Sequence, residues 1–310
     1  MTHLPVTNTR NVVILGHTGS GKTTLIDAIL YHAGQNERLG LTANGSSMAD
    51  WTEEEKDRKI SIWAKPFHAT VKTKEGAAME LTVIDTPGYL DLYGQAVAAA
   101  KVADAALIAV DAVAGVQVGS IRAWHLCEKL NLPCAIVITG LDKDNADFDT
   151  LLSNIQKSWG RKCVPVELPT HDRKAIIDIL AESKIPDELS EEAELTMSVL
   201  EEDAAEEDEA LLNKYLSGEH LSHDELTAGL RVAVKQRHVV PVFETEALKG
   251  IGIAELLDEV HRLFPSPLDR VVLDAAGNEV KVGPDAPFCG LVWRSVNDPF
   301  IGQLQLIRIF

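Results

Sequence analysis

The chain has 310 residues and a net charge of −18, enough length for one large domain or two modest ones and the wrong charge for affinity built on broad neutralisation of nucleic-acid phosphates. An apolar fraction of 45% with 25% charged residues is that of an ordinary soluble protein. No apolar run approaches the roughly 20 residues of a membrane span and the opening MTHLPVTNTR lacks a secretory apolar stretch, so a cytoplasmic protein with no membrane and no DNA partner is expected.

In chain order, NVVILG, MELTVIDTPG, ALIAVDAV and CAIVITG are apolar runs of strand length, and TTLIDAILYHAG, YGQAVAAAKVA and SIRAWHLCEKLN carry helical patterns between them. Strands apolar on both faces and separated by helices predict an α/β fold, a doubly wound and mostly parallel sheet. From about Arg161 the sequence turns helical and acidic, with no strand expected before VVPVFET at 239–245, which the helix IAELLDEVHRLF follows. Residues 163–238 therefore read as a mostly helical insertion. Its acid gathers between Glu182 and Glu209, as a solvated helix face or as a docking face for a basic partner. Pro265-Ser266-Pro267 breaks the helix, and VVLDA, EVKVG, FCGLVWRSV and GQLQLIRIF are β-rich. The expected division is 1–162 with 239–266 as the α/β domain, 163–238 as the insertion, and 267–310 as the beginning of a β-barrel. So few strands cannot close a barrel, and the chain is expected to be a fragment of a longer protein. Cys127, Cys134, Cys163 and Cys289 form no C-x-x-C pair and suggest neither a disulfide framework nor a zinc site.

Gly16-His17-Thr18-Gly19-Ser20-Gly21-Lys22-Thr23 fits G-x-x-x-x-G-K-[ST] between a strand and a helix, with Thr24 next. In that context the loop amides and the positive helix end hold phosphates, Lys22 reaches the β,γ-oxygens and Thr23 ligates Mg²⁺. His17 reads as a loop-packing residue, not as a base. Asp85-Thr86-Pro87-Gly88 closes the strand LTVID; a carboxylate there can hold Mg²⁺ through water, and the Gly88 amide can meet a γ-phosphate. The segment from Gly34 to Ile62 has little apolar periodicity and reads as a long mobile loop. In it, Ser61 could give Mg²⁺ a second hydroxyl when a third phosphate is bound, and Trp51 reads as a packing anchor. Thr139-Gly140-Leu141-Asp142 follows CAIVI, and Asp142 suits guanine N1–H and the 2-amino group. After VVPVFET, Glu246-Ala247-Leu248-Lys249 could offer an amide to guanine O6.

With this order of motifs the chain resembles the GTPase domain of elongation factor G. GHTGSGKTTL resembles the family's GHxxxGKTT, MADWTEEEKDRKISI its DWxxxExxRGITI, VIDTPGYLDL its IDTPGHVDF, and AVAGVQVGS its AVxGVQxQS. KYLSGEHLSHDEL is similar to the end of that factor's helical insertion, and FPSPLD and PFCGLVWRSVNDPFIGQL to the linker and opening strands of its second domain. The resemblance implies a P-loop GTPase that takes GTP or GDP with Mg²⁺. The implied partner is the ribosome, at its factor-binding site with the ribosomal RNA loop and the stalk protein, which the acidic insertion would meet.

The departures matter as much. Tyr89 stands where the family has the His that positions the attacking water; a phenol can orient water but supplies no imidazolium. N-K-x-D is reduced to Asp142, Glu246-Ala247 replaces Ser-Ala, Gly19 stands where Asp is frequent, and Ser61 replaces Thr. Two or three lost contacts at about 0.5–1.5 kcal/mol each would weaken binding by roughly one to three decades. The pattern suits a divergent elongation factor G-like paralogue. Three readings stay open: a ribosome-directed GTPase with slow intrinsic hydrolysis, a nucleotide-gated ribosome-binding module with little hydrolysis, and a P-loop ATPase. A release-factor or ribosome-protection protein would share the same domain.

Overall fold

The structure, a computed structural model, describes residues 4–42, 45–74, 76–181, 184–274, 276–298 and 302–310. Glu182 and Ser183, at the head of the acidic stretch, and Pro299, Phe300 and Ile301, in the second-domain motif, lie outside them.

The chain begins with β1 (Thr9–Gly16), α1 (Lys22–His32), α2 (Glu53–Arg58), β2 (Lys65–Lys72) and β3 (Ala78–Asp85). There follow α3 (Tyr93–Ala100), β4 (Ala105–Asp111), α4 (Val118–Leu130), β5 (Cys134–Thr139), α5 (Phe148–Trp159), β6 (Cys163–Pro165), β7 (Glu167–Pro169) and β8 (Ile176–Asp178). Next are α6 (Ser190–Ala205), α7 (Glu209–Leu216), α8 (His223–Gln236), β9 (Val240–Thr245) and α9 (Ile253–Leu263). The chain closes with β10 (Val272–Leu273), β11 (Glu279–Val280), β12 (Gly290–Asp298) and β13 (Gly302–Ile309).

Seven strands form one sheet in the order β2-β3-β1-β4-β5-β9-β6. Only β2 runs antiparallel, on β3; the other pairings are parallel. Every residue of β4, β5 and β9 is buried, as strands covered on both faces must be. Alternate residues of β1 point to different cores. Val12 and Ile14 join α1 and α9, whereas Val13 and Leu15 join α3, α4 and α5. Each fully buried Ile or Leu contributes about 1.5–3 kcal/mol relative to exposure, so both faces fix the register of the strand that ends in the glycine-rich loop.

The α/β, mostly parallel, doubly wound architecture is as expected. Two details differ. The stretch after Arg161 is not free of strands: β6 joins the edge of the main sheet beside β9, and β7 pairs with β8. Each has three residues, too few for a periodic signal. The segment after Gly34 is not loop throughout. It contains α2, capped by Thr52 and Glu55 in a reciprocal capping box, and is followed by β2, whose Pro66 and His68 are tolerated because it is an edge strand.

Between β8 and β9 the helices α6, α7 and α8 pack together, with Leu200, Ala204 and Ala205 of α6 and Leu230, Ala233 and Val234 of α8 in the core. Among the described residues no helix is long and apolar enough to cross a membrane. At the C-terminal end, β10–β11 and β12–β13 are separate antiparallel pairs. Arg308 ties β13 to the α/β domain through the buried Asp104 (2.9 Å).

Candidate nucleotide-binding site

The C-terminal ends of β1, β3, β5 and β9 converge, the place where such sheets bind ligands. β1 ends at Gly16, where a Cβ would lie 2.5 Å from the Ala109 carbonyl oxygen and 2.9 Å from Ser20 Oγ; only glycine lets the turn pass so close to β4. The loop closes on itself through His17, whose carbonyl accepts from Ser20 Oγ (2.9 Å) and from Lys22 Nζ (2.5 Å). His17 Nδ1 accepts from the Gly119 amide at 3.2 Å, a packing contact. Helix α1 starts at Gly21 with no side-chain cap, so its first amides are left to an anion. Burial lowers the Lys22 ammonium to about 8, opposed by Asp85.

Three oxygens meet at the edge of this loop. Thr23 Oγ1 is 3.1 Å from Ser61 Oγ, and Ser61 Oγ donates to Asp85 Oδ2 at 2.8 Å. Asp85 is fully buried, and its Oδ1 has no hydrogen-bond partner. Burial pushes its carboxyl up to about 6 against the pull of Lys65, Ser61 and Lys22. An orphaned carboxylate oxygen beside two hydroxyls is a hard-oxygen donor set that fits Mg²⁺, which takes few protein ligands and completes its shell with phosphates and water. Thr86 Oγ1 donates to the Ile14 carbonyl (2.5 Å) and so fixes β3's end to β1. After Pro87, Gly88 comes so near the loop that a Cβ would meet Lys22 Nζ and the Thr18 amide nitrogen at 2.6 Å. A cavity of about 210 Å³ opens here, lined by Thr18, Gly19, Gly21, Lys22, Thr23, Thr24, Thr42, Lys59, Ile60, Ser61, Thr86, Gly88 and Tyr89. Tyr89 is 44% exposed.

The backbone just after Ser61 is held by a node of which the motifs single out only Glu55. The carboxylate of Glu55 and the ammonium of Lys65 are both wholly buried and 2.8 Å apart. Glu55 also accepts from the amides of Trp51, Thr52, Ile62 and Trp63 and from Thr52 Oγ1. Burial opposes its charge, but the Lys65 ammonium and the Ile62 amide keep its carboxyl below the ordinary range. Trp51 packs edge-on against Phe67 at 5.7 Å.

On the other side, β5 and β9 pair in parallel so that Thr139 stands beside Thr245, and the Gly140 amide donates to the Thr245 carbonyl at 3.1 Å. The 139–142 and 246–248 loops are thus adjacent. Thr139 Oγ1 donates to the Ser20 carbonyl at 3.1 Å, which joins this loop to the phosphate loop without an amide side chain. Leu141 and Ala247 are buried beneath it. Asp142 Oδ2 accepts from Lys249 Nζ at 2.6 Å. Glu246, 7% exposed, accepts from the Leu248 amide at 3.3 Å. Burial and the neighbouring Asp142 push Glu246 up to about 7, while contacts with Glu246 and Lys249 keep Asp142 low. A Cβ on Gly140 would lie 2.8 Å from Lys143 Cε; the Lys143 ammonium pairs with Asp111.

The family pattern of the elongation factor Tu GTP binding domain matches residues 7–266, well over half of the chain. The chain belongs to this family of translational GTPases. A protein of Thermus thermophilus with a known crystal structure is 32% identical and superposes with a TM-score of 0.85, over 98% of this chain and 45% of that one. The present chain therefore spans less than half of that relative's length.

The matched family pattern is that of a GTP binding domain, which implies GTP or GDP as the ligand. Lys59, Lys249, Lys143 and the Glu55–Lys65 pair stand at or beside the site without a signal of their own type in the sequence. Only the E of the DWxxxE pattern singled out Glu55.

Proposed function

We propose that this chain is the GTP-binding front part of an elongation factor G-like protein, a divergent paralogue that binds GTP·Mg²⁺ and acts on the ribosome. The observation that carries the reading is the Thr23–Ser61–Asp85 cluster, in which phosphate loop, switch segment and β3 end meet within hydrogen-bond distance. A group that needs all three oxygens makes the order of the switch depend on what is bound. The proposed units are 1–162 with 239–266 (β6 also lies in that sheet), the insertion within 163–238, and the second domain's beginning in 267–310.

In this reading the amides of 18–24 cradle the α- and β-phosphates and Lys22 reaches the β,γ-oxygens, while Thr23, Ser61 and Asp85 would hold Mg²⁺. When bound, Mg²⁺ would neutralise phosphate charge. Gly88 donates its amide to the third phosphate, and Tyr89 orients the water that attacks it. Asp142 meets guanine N1–H and the 2-amino group, a contact that requires Lys249 to yield part of the carboxylate, and the Ala247–Leu248 backbone backs O6. The test is titration with GTP, GDP and ATP in the presence of Mg²⁺, followed by phosphate release with and without ribosomes. Micromolar guanine-nucleotide binding with ribosome-stimulated release is expected. Equal affinity for ATP sinks the guanine assignment, and no release at saturating ribosomes sinks the GTPase.

The exposed Tyr89 favours a second reading, a nucleotide-gated ribosome-binding module with little hydrolysis. Tyr89→His distinguishes them: a gain of decades in turnover supports the module, and an already fast wild type excludes it. The stalk protein is the proposed partner of the acidic helical insertion. Other translational GTPase types, release-factor or ribosome-protection, share this domain and would be told apart by regions outside residues 1–310.

A further inference from the structure

Lys59 is a cation that no step above requires. It closes α2 in the left-handed region, at φ +55°, a conformation unfavourable for any residue with a Cβ and usually left to glycine at a helix end. The RGITI pattern that the segment resembles has glycine there; this chain reads Arg58-Lys59-Ile60-Ser61-Ile62. A strained side chain at a ligand cavity suggests a use for that side chain.

Its surroundings say which use. Lys59 lines the phosphate cavity two residues before Ser61. The basic residues beside it are engaged, Arg58 with Glu54 at 2.9 Å and Lys56 with Glu53 at 3.4 Å. Among the described residues no ion pair engages the Lys59 ammonium. Lys22, the other lysine of the cavity, donates to the His17 carbonyl at 2.5 Å. Gly19, also on the lining, leaves open space where a side chain would be, and the acid frequent at that position in the resembled loop is missing. In a chain of net charge −18, the described lining of this cavity contains two lysines and no carboxylate. Lys22 and the loop amides meet the phosphates from the inner side, up to the β,γ-oxygens. A third phosphate extends toward the segment that carries Ser61 and meets the second cation.

We propose that Lys59 is a triphosphate-reading residue: its ammonium binds the terminal phosphate of GTP, favours GTP over GDP, and offsets the charge that gathers as that phosphate is transferred. In the transfer, water oxygen bonds to the γ-phosphorus, the bond from that phosphorus to the β,γ-bridging oxygen breaks, and the electron pair stays on GDP. One water proton stays on the inorganic phosphate, and the other passes to a phosphate oxygen or to solvent. The proposal rests on the nucleotide reading given above.

The test measures affinity for GDP and for a non-hydrolysable GTP analogue, both with Mg²⁺, and single-turnover GTP hydrolysis. Wild type is compared with Lys59→Met, Lys59→Gly and Lys59→Arg. Methionine removes the charge and keeps the strained backbone; glycine removes the charge and relieves the strain, so that variant should fold at least as well as wild type. Both should lose at least about tenfold in affinity for the triphosphate, as for a charge-assisted hydrogen bond, and keep GDP affinity within about twofold. Both should also hydrolyse at least about tenfold more slowly, and arginine should restore most of each loss. An unchanged triphosphate-to-diphosphate ratio, or a loss confined to one of the two neutral variants, overturns the proposal. A wild type that binds no guanine nucleotide overturns the underlying reading, and this proposal with it.

Discussion

The proposed phosphate side of the site is made of backbone and of charges withdrawn from water, whereas the proposed base side is made of charged side chains on the loops that follow β5 and β9. On the first, the loop after β1 leaves no room for a Cβ at Gly16, and the switch segment hangs on a pair in which both partners are wholly buried. On the second, Asp142, Glu246 and Lys249 share one charge cluster at the ends of β5 and β9. On the proposed reading, phosphate binding would be inseparable from the fold, while base recognition could be altered one side chain at a time.

The sharpest way to break this contrast is at Glu55. Glu55→Ala leaves Lys65 charged and buried without its partner, which should cost about 3–5 kcal/mol in chemical denaturation. A loss below about 1 kcal/mol would show that the pair does not organise the segment. At Lys22, alanine should weaken both GDP and GTP by about a hundredfold, close to 3 kcal/mol, in calorimetric titration. An effect on GTP alone would move Lys22 away from the inner phosphates.

The base side should respond to pH. Glu246 rises from 4.5 when free to about 7 in the folded chain, so folding favours its neutral form. The resulting penalty is absent below the unfolded value, grows as pH climbs between the two, and is full above the folded one. Glu246→Gln should therefore be more stable than wild type by on the order of 1–3 kcal/mol near pH 8 and equal to it near pH 4. A gain that does not change with pH rules out the raised Glu246 carboxyl. The smallest effect is expected at Gly140→Lys. At φ +74° it should cost about 1 kcal/mol of stability and displace Lys143. It should also raise GTP affinity relative to ATP by about three- to tenfold through one regained contact. A melting curve and a competition titration check both halves, and unchanged selectivity would mean that Gly140 does not face the base.

Which parts were legible follows from the range over which each signal acts. Gly16 to Thr23 could be read because spacing, strand and helix start lie within one short stretch. The central strands could be read because burial on both faces leaves continuous apolar runs. β2 was hidden by Pro66 and His68, residues an edge strand tolerates, and β6 by its three-residue length. Lys59, Lys143 and Lys249 were not legible, since a lysine acquires a role only from the loop that folds beside it. Lys249 lies 107 residues from its carboxylate partner, Asp142.

The buried pair of Glu55 and Lys65 has one more consequence, for ionic strength. At physiological salt the screening length is about 8 Å, and counter-ions act on charges they can approach. They cannot approach this pair, whereas Asp142 and Lys249 stand at the surface. Added salt should leave the switch segment ordered and loosen the grip of Lys249 on Asp142, so that the same solution steadies one end of a nucleotide and frees the group that reads the other.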